Sequence, residues 1–582
     1  MQAVILAAGF GNRMQPLTND RHKTMLEIGE RSLLERMVSG LRDHGVKRLT
    51  VVTGYRDQDI RTFLDTNYPE IERVYVHNQA YRTTNNVHSL ALAADVMSFD
   101  QDLLLIECDL VFQPDVLSRL INSPHPNVAL VDRWRTGLDG TVVTVEDGVI
   151  TSVVPPHLQG SSFDLTEAYK TLNMYKFSAS FFEETFKPLL EVYAKSIDQN
   201  CYYELILGML IYMRSARVHA EILDGELWSE IDDANDLDGA RFKFCPEERE
   251  KMLSYSQGGY WNYDILDFCF LRNMYFPTPA MMSEIRTCLD DLLHNYGSKQ
   301  EILNQKCAYF TRVKPERIVA LNGAAQIYPL LKRLFAGKTF AVPTPTFGEY
   351  GRSFPNAELY PDGALPSGEG LDGLVVVNPN NPTGTITPSA DIYAYAKAHP
   401  QQRIIVDESF IDFTDEEPII DLLEDAPLDN IIVIKSLSKL LGVPGVRLGF
   451  VYSSDPDFIA SVMEDLPIWN MNSIAEFIYE ILLKHRRALA ESFALTKRDR
   501  KQFVAELRTL PLEKVSEAGG NFVNIQLRAP VDLNASMLKK GIFVKEISAK
   551  YAAPKYTMYR LAVRFPQEHA RFIEALKDAI AC

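Results

Sequence analysis

The sequence alternates short β-type runs with amphipathic helices in its first 240 or so residues, and again in roughly its last 320. The first part begins with a β-type run over residues 3–7, a helix over 32–44 and a β-type run over 48–53. The second part carries β-type runs over residues 317–321, 339–342, 374–377, 404–406, 431–434 and 449–452. Such alternation is typical of parallel or mixed sheets that are covered by helices. We therefore expect an α/β fold in both parts, without an internal repeat.

A charged segment followed by a polar one separates the two parts. Residues 244–250 read FCPEERE, and residues 254–259 read SYSQGG. We expect a linker over residues 244–262, which leaves one domain over residues 1–243 and another over 263–582. The length of 582 residues suits several domains at roughly 100–200 residues each.

Charge and composition exclude several classes of protein. The formal net charge of −17 argues against a general surface for nucleic acid or anionic membranes, because both would be repelled on average. The seven cysteines are scattered and form no CxxC pair, so neither zinc nor a redox pair is expected and a reducing compartment is the simplest setting. No basic segment precedes the apolar residues 4–10, and the other long apolar stretch, residues 205–213, is too short for a membrane span of roughly 20 residues. We expect a cytoplasmic protein.

Residues 3–26, AVILAAGFGNRMQPLTNDRHKTML, run from an apolar strand into a turn of small residues. Backbone N–H groups in such a turn can approach a triphosphate closely. Arg13 and Lys23 are expected to return over the same phosphates and neutralise charge at the α-phosphorus. The predicted phosphate-binding backbone comprises Leu6, Ala7, Ala8, Gly9 and Gly11.

Two aspartates are candidates for binding Mg²⁺. Asp109 follows the apolar run over residues 103–108, and Asp232 lies in the segment WSEIDD. A magnesium ion that bridges phosphate oxygens is usually held by one or two protein carboxylates. Glu230 and Asp233 remain alternatives to Asp232.

The string LAAGxGxRxxPLTxxxxKxxLxI resembles the nucleotidyltransferases that join a nucleoside triphosphate to a phosphorylated small molecule. This resemblance implies a Rossmann-like domain and the two aspartates as its metal ligands. Residues 81–90, YRTTNNVHSL, resemble the phosphocholine cytidylyltransferase branch, which implies CTP and an acceptor of the aminoalkyl phosphate type. Asn85, Asn86 and Ser89 are expected to contact the base or ribose. The available carboxylate and aromatic groups for the acceptor's amine are Asp132, Trp134, Tyr202, Tyr203 and Glu204.

A second set of motifs indicates a cofactor site. Lys439 lies in SLSKLLGVPGVRLGF, residues 436–450, where it can condense with a cofactor aldehyde. Asp407 follows the run RIIV and can pair with a pyridinium nitrogen, and Asn381 of NPNNPTG can bind the ring's 3′-oxygen. The candidate phosphate-binding residues are Ser436, Ser438, Arg447, and Ala324 with Ala325, which precede a predicted helix.

Together these motifs resemble the fold-type I aminotransferases of the class I/II group, in particular histidinol-phosphate aminotransferase and its decarboxylase relatives. The resemblance implies pyridoxal 5′-phosphate and a domain with a large and a small subdomain. It also implies that Phe347 stacks on the cofactor ring and that Tyr296 reaches the cofactor phosphate of a neighbouring subunit, hence a homodimer. Phe410 departs from the family pattern, which has Tyr three residues after the aspartate.

The segment YRLAVRF, residues 559–565, alternates like a strand. Arg560 and Arg564 are four residues apart, so a strand would place both on one face. Arg560 matches the family's carboxylate-binding arginine, and Arg564 is an additional basic residue. We expect a site for one dianionic group or two alternating anionic groups, with a salt-bridged surface strand as the alternative.

The whole chain resembles the bifunctional 2-aminoethylphosphonate cytidylyltransferase/aminotransferase fusions. This implies CMP transfer from CTP to 2-aminoethylphosphonate and interconversion of that amine with phosphonoacetaldehyde, with an amino acid and 2-oxo acid as the partner pair. The same motifs would serve a phosphocholine or phosphoethanolamine cytidylyltransferase fused to a phosphoserine or phosphothreonine decarboxylase or to a histidinol-phosphate-type aminotransferase. A further alternative is that one half is a catalytically inactive ligand-binding module.

Overall fold

The computed structural model describes residues 1–135, 137–160, 163–528, 531–552 and 554–581. The chain divides into two compact units, Met1–Asp264 and Ile265–Cys582. The segment expected to be a linker, residues 244–262, contains the helix Arg249–Ser256, in which Leu253 is buried. This segment therefore lies within the first unit.

The first unit is built on a nine-stranded mixed sheet. Its strands lie in the spatial order Glu72–His77, Arg48–Thr53, Gln2–Ala7, Leu103–Glu107, Tyr169–Phe177, Val128–Arg133, His219–Ile222, Val149–Val154 and Val142–Glu146. The first four are parallel, and Tyr169–Phe177 runs antiparallel to both of its neighbours. Loops at the carboxyl ends of the parallel strands therefore meet at one edge, which is where open α/β sheets bind ligands.

Helices cover both faces of this sheet, which explains why its central strands are apolar throughout. Val4 and Ile5 are both fully buried, although they point to opposite faces. The α-helices are Leu33–Asp43, Asp57–Asn67, Asn86–Ala94, Pro114–Asn122, Ala179–Phe181, Lys187–Val192, Tyr203–Tyr212, Ala234–Phe244 and Arg249–Ser256. Two π-helical turns flank Lys187–Val192, at Phe182–Phe186 and Tyr193–Ile197. Short two-stranded pairs join Glu27–Ile28 to Arg31–Ser32, and Leu110–Phe112 to Trp228–Glu230.

The second unit contains a seven-stranded sheet and a smaller, four-stranded antiparallel sheet. The large sheet has the spatial order Ile318–Leu321, Gly449–Ser453, Ile431–Ser436, Arg403–Asp407, Gly373–Val377, Phe340–Thr344 and Glu358–Pro361. Gly449–Ser453 runs antiparallel to both of its neighbours, and the described pairs that do not include it are parallel. The small sheet has the order Lys514–Glu517, Phe522–Gln526, Met558–Ala562 and Lys545–Glu546.

The helices of the second unit pack around these two sheets. Ser473–Leu507 spans 35 residues and contributes to the core of the large sheet and to the core of the small one. The other helices are Pro279–Thr287, Leu289–His294, Gln300–Thr311, Ile327–Leu334, Gly348–Ser353, Ser389–Ala398, Ile419–Asp425, Leu437–Leu440, Pro456–Glu464, Leu533–Lys539 and Pro566–Ala581. A short parallel pair joins Leu266–Asp267 to Ile542–Phe543.

The predicted α/β fold class is confirmed in both units. The run predicted over residues 48–53 is the strand Arg48–Thr53, and the run predicted over 449–452 is Gly449–Ser453. Among the described residues, no helix has the length and apolar character that crossing a membrane would require.

Candidate active sites of the two units

A cavity of about 330 Å³ lies at the carboxyl ends of Gln2–Ala7 and Leu103–Glu107. Most of the predicted nucleotide and metal residues line it: Leu6, Ala8, Gly9, Gly11, Arg13, Lys23, Asn85, Asn86, Ser89, Asp109 and Asp232. Ala7 is the exception, because its side chain packs in the core on the other face of the strand. Gly11 has a φ of 60°, a conformation that favours glycine.

Lys23 lies between the two predicted metal ligands. Its Nζ atom is 3.0 Å from Asp109 Oδ2 and 3.1 Å from Asp232 Oδ1, and Arg13 Nη2 is 2.9 Å from Asp232 Oδ2. Burial opposes the charge of Lys23, but the two carboxylates outweigh this effect and raise its pKa. The ammonium group thus balances the charge that a divalent cation would balance.

The two aspartates fit a magnesium ion. Asp109 Oδ1 is buried and has no hydrogen-bond partner within the described part of the chain. Burial would raise the pKa of Asp232, yet Lys23 and Arg13 hold it below its usual value, so this group is a carboxylate. Carboxylate oxygens, one of them unpaired, form the donor set that Mg²⁺ prefers.

Asn86 connects this cavity to a group of acidic side chains. Its Nδ2 atom donates to Glu107 Oε1 at 3.1 Å and to Glu204 Oε2 at 3.4 Å, and its Oδ1 atom accepts from the backbone N–H of Tyr203. Ser89 Oγ likewise accepts from Asn78 Nδ2. Asn86 and Ser89, expected to contact base or ribose, are therefore engaged in bonds within the protein.

Three glutamates form what we call the acid floor: Glu204, which is buried, and Glu107 and Glu230, which are half-buried. Burial is the main reason that the pKa of each is raised, and that of Glu230 reaches about 7. Lys170 Nζ lies 3.0 Å from Glu230 Oε2 and provides one counter-charge. The cluster of carboxyl groups therefore favours a cation beside it.

Two tyrosines next to the acid floor carry unsatisfied hydroxyl groups. Tyr175 and Tyr203 are buried, their rings are 5.8 Å apart in an edge-to-face arrangement, and neither hydroxyl has a hydrogen-bond partner among the described residues. Glu204 raises the pKa of both hydroxyls in addition to burial. Of this group only Tyr203 and Glu204 were predicted. A glutamate inside an apolar run, such as Glu107 in LLLIE, is the sequence signal that could have added a third residue to the predicted acceptor site.

Asp132 and Trp134, also predicted for the acceptor pocket, lie elsewhere. Asp132 Oδ2 accepts from Trp228 Nε1 at 2.7 Å and lies 3.3 Å from Arg135 Nη2, so this carboxylate already has its partners. Neither Asp132 nor Trp134 lines the cavity that holds Lys23. That part of the prediction is wrong, because Asp132 lies on the strand Val128–Arg133 and bonds within the protein. Tyr202, the remaining candidate, is largely exposed.

The second unit gathers its predicted residues at the carboxyl end of the strand Arg403–Asp407. Asp407 is buried, and its Oδ2 atom accepts from the Tyr350 hydroxyl at 2.8 Å. Its Oδ1 atom accepts from the Ser409 hydroxyl at 2.6 Å. These bonds fix the carboxylate orientation, as a partner for a ring nitrogen requires.

Lys439 lies in the short helix Leu437–Leu440, near Asp407. Burial lowers the pKa of Lys439 and Arg447 and Arg560 lower it further, although Asp407 opposes them. A lowered pKa yields the neutral amine that attacks an aldehyde. Lys439 Nζ lies 5.5 Å from the ring centroid of Phe410, so an aromatic face occupies the position where relatives have a tyrosine.

The predicted phosphate end contains a close backbone approach at Gly323. Gly323 has a φ of 77°, a conformation that favours glycine, and a Cβ atom there would lie 2.5 Å from Arg447 Nη2. Ala324 begins the turn that leads into Ile327–Leu334, whose N-terminus suits an anion. Ser438 differs from the prediction, because its hydroxyl donates to the Leu448 carbonyl and accepts from the Leu448 N–H. These two bonds join the ends of the loop between Ser438 and Leu448.

Arg560 points toward Asn381. Its Nη1 atom donates to Asn381 Oδ1 at 2.6 Å, and its Nη2 atom donates to the Cys269 carbonyl at 2.7 Å. Lys545 is its direct cross-strand partner, so these two cations share one face of the small sheet. No ion pair involves either residue within the described ranges, so an anion would stabilise this pair.

The prediction that Arg564 shares this face is wrong. The strand ends at Ala562, so the alternation stops before Arg564. Its Nη2 atom lies 2.8 Å from Glu568 Oε1, and its Nη1 atom donates to the carbonyl of Asp267. Arg564 therefore fastens the start of the helix Pro566–Ala581 to the core.

The remaining four predicted cofactor contacts of the second unit stay predictions: Ala325, Ser436, Phe347 and Tyr296. Phe347 is half-buried beside Tyr328, with ring centroids 6.1 Å apart. Tyr296 is 80% exposed and stacks on Trp469 with ring centroids 4.4 Å apart.

Comparisons with known protein families divide the chain in the same way. Residues 3–182 match the MobA-like NTP transferase domain, and residues 364–576 match aminotransferase class I and II. The chain is 33% identical to CMP-5'-(3-aminopropyl)phosphonate synthase from Streptomyces rubellomurinus (strain ATCC 31215), and the alignment covers 100% of this chain and 95% of that protein.

Relatives of the separate parts agree. CTP:phosphoglutamine cytidylyltransferase from Campylobacter jejuni is 30% identical over 41% of this chain and 98% of its own length. The crystal structure of L-threonine-O-3-phosphate decarboxylase from Porphyromonas gingivalis aligns with a TM-score of 0.50 at 21% identity, covering 55% of this chain and 100% of that one. At that identity the similarity shows the fold alone.

Proposed function

Because the chain belongs to the family of CMP-5'-(3-aminopropyl)phosphonate synthase and is an enzyme with a cytidylyltransferase and an aminotransferase-class domain, we propose that its two sites act on one aminoalkylphosphonate. The first unit transfers CMP from CTP to 2-aminoethylphosphonate and releases pyrophosphate. The second unit interconverts this amine and phosphonoacetaldehyde. The observation that carries the proposal is the acid floor beside the nucleotide cavity, because it supplies an amine-binding group next to Lys23.

In the first unit, the backbone from Leu6 to Gly11 binds the triphosphate. Asp109 and Asp232 would hold Mg²⁺, which would supply positive charge to offset that of the phosphates. Lys23 and Arg13 neutralise the charge that develops at the α-phosphorus when a phosphonate oxygen attacks. Because Lys23 contacts both aspartates, metal and lysine share the same carboxylates, and Lys23 is free to turn toward phosphate when the metal provides the charge.

The acceptor's ammonium group lies against the acid floor in this proposal. Glu107 and Asn86 line the cavity, and Glu204 and Glu230 lie just behind them. Raised pKa values mean that these carboxyls ionise at a cost, and a cation beside them offsets that cost. The hydroxyls of Tyr175 and Tyr203, which lie behind the cavity lining, add acceptor oxygens to this polar cluster.

In the second unit, the fold implies pyridoxal phosphate, and the residues present fit it. Bound there, the cofactor withdraws electrons from the bonds at the carbon that bears the substrate's amine. Asp407, oriented by Tyr350 and Ser409, would lie beside the ring nitrogen, and Lys439 would hold the cofactor through its aldehyde and move a proton at the substrate carbon. Arg560 and Lys545 bind the anionic end of the substrate.

The first half of the proposal is tested by incubating the full chain with CTP, Mg²⁺ and equal concentrations of 2-aminoethylphosphonate, 3-aminopropylphosphonate, phosphocholine or phosphoethanolamine. Pyrophosphate release is measured for each. We expect the highest kcat/KM for 2-aminoethylphosphonate. Equal or faster turnover of phosphocholine would contradict the phosphonate assignment.

The second half is tested with 2-aminoethylphosphonate and a set of 2-oxo acids, by following formation of phosphonoacetaldehyde. Phosphoserine serves as the comparison substrate, with carbon dioxide release as the readout. Carbon dioxide release without any amino transfer would show that the second unit is a decarboxylase.

A further inference from the structure

His22 is a buried histidine at the phosphate end of the nucleotide cavity, and the cytidylyl transfer proposed above does not use it. Its side chain has no exposed surface, yet it lines the same cavity as Gly9, Gly11 and Lys23. The backbone N–H of His22 donates to Asp59 Oδ2 at 3.0 Å, which fixes the residue from a neighbouring helix.

The hydrogen bonds of His22 determine its tautomer. The Nδ1 atom accepts from the backbone N–H of Thr24 at 3.1 Å and lies 2.9 Å from the Thr24 hydroxyl. His22 thereby caps the turn Lys23–Met25, which carries the lysine. Because Nδ1 accepts, the ring proton is on Nε2.

The Nε2–H group makes no hydrogen bond of normal geometry within the described part of the chain. The Gly9 carbonyl lies close to the ring and raises its pKa, but it does not accept the Nε2 proton at normal hydrogen-bond geometry. Burial dominates and lowers the pKa of the imidazole to about 4, so the ring is neutral at ordinary pH. A buried donor without an acceptor is costly, and a ligand oxygen in the cavity removes that cost.

We infer that His22 binds the nucleotide, with its Nε2–H donating to an oxygen of the β- or γ-phosphate. The inference rests on the proposed cytidylyl transfer. A neutral donor adds no positive charge beside Lys23 and Arg13. It orients the leaving pyrophosphate through the direction of its hydrogen bond. The same side chain fixes the turn of Lys23, so the phosphates and the lysine are positioned by one residue.

The test is to measure binding of CTP and of CMP to the full chain by calorimetry, with Mg²⁺ and without acceptor. His22→Asn keeps a good helix cap but removes the Nε2 donor. His22→Gln places an amide N–H farther out. Thr24→Val is the matched control, because it alters the same buried turn and leaves Nε2 unchanged. Thermal melting of every variant reports on the fold.

We expect His22→Asn to weaken CTP binding roughly tenfold or more, as loss of a hydrogen bond to a charged group does, with CMP affinity unchanged. His22→Gln should recover part of the loss, and Thr24→Val should bind CTP within about twofold of the unaltered chain. Equal CTP affinity in His22→Asn and the unaltered chain would overturn the inference, as would an equal loss for CTP and CMP. If the unaltered chain binds no CTP, the proposed function fails and this inference fails with it.

Discussion

The ammonium group of Lys23 lies 3.0 Å from Asp109 Oδ2, inside the cavity that we propose binds the triphosphate. Asp232 contacts the same ammonium group from the other side. This cation lies between the two proposed metal ligands, so it lowers the pKa of Asp232 and would compete with a metal ion for the same oxygens.

Replacement of Lys23 should separate these two effects. We expect Lys23→Ala to lower kcat for CMP transfer by about 10²-fold or more, because a group that stabilises developing charge is lost. Removing the competitor should at the same time tighten Mg²⁺ binding, which titration calorimetry without nucleotide measures. Arg21→Ala is a suitable control, because Arg21 is an exposed basic residue that pairs only with Asp20 within the described ranges. Weaker Mg²⁺ binding in Lys23→Ala would contradict the competition.

The acid floor predicts a pH-dependent cost in stability. Glu204 has its pKa raised by burial, so the folded protein binds a proton that the unfolded chain releases at the ordinary pKa of glutamate. The contribution of Glu204 to stability is therefore most favourable below that ordinary pKa and is lost as the pH rises toward the folded pKa. Glu204→Gln should stabilise the first unit relative to wild type at pH 8 more than at pH 5, as measured by thermal melting.

The same replacement should weaken acceptor binding. We expect Glu204→Gln to raise KM for 2-aminoethylphosphonate roughly tenfold, because one carboxylate that faces the ammonium group is lost. The KM for CTP should change little. Asp132→Asn is the matched control, since Asp132 is a buried acid outside the cavity. Equal KM changes for both substrates would place Glu204 in general packing rather than in amine binding.

Arg560 and Arg564 should behave differently despite their spacing of four residues. We expect Arg560→Met to raise KM for the phosphonate substrate of the second unit at least tenfold. Arg564→Met should lower the melting temperature, because Arg564 is buried and its loss leaves Glu568 and the Asp267 carbonyl without their donor. Its KM should stay close to that of wild type. Kinetics and melting curves on the full chain check both expectations.

Replacement of Lys439 should affect the cofactor of the second unit and leave the activity of the first unit unchanged. We expect Lys439→Ala to lose the visible absorbance of covalently held pyridoxal phosphate and all amino transfer. Pyrophosphate release by the first unit should remain within about twofold of wild type. Lys435→Ala is an unsuitable control, because Lys435 is buried against Asp412 and its loss would unsettle the fold. The exposed Lys338 is the better comparison.

The parts of the sites that follow from strand ends could be predicted from the sequence. Asp407 and Asp109 each follow an apolar run, and the carboxyl ends of parallel strands meet at one sheet edge, so local pattern suffices. Arg564 could not be placed in this way, because the alternation of its segment continues past Ala562 whereas the strand does not. Its side chain instead forms an ion pair with Glu568, which lies in the helix that begins at Pro566.

The acid floor depends on register between distant segments, and for that reason the sequence shows little of it. Glu107, Glu204 and Glu230 lie on two strands and a helix that are separated in the chain. The fold brings Glu107 and Glu204 together through Asn86, and Glu230 bonds to Asn173 and Lys170. Asp132 illustrates the opposite error, since an acid next to a tryptophan in the sequence bonds instead to the distant Trp228.

The acid floor also bears on how such a protein diversifies. Carboxylates attract a primary amine over a long range. The number of carbons between the amine and the phosphonate is recognised only through direct contacts with the cavity wall. One methylene group changes binding by about 1–3 kcal/mol in a fitted pocket, and a few substitutions in the cavity wall can supply that difference. Descendants of one ancestor could therefore exchange a two-carbon acceptor for a three-carbon one while the charges beneath stayed in place.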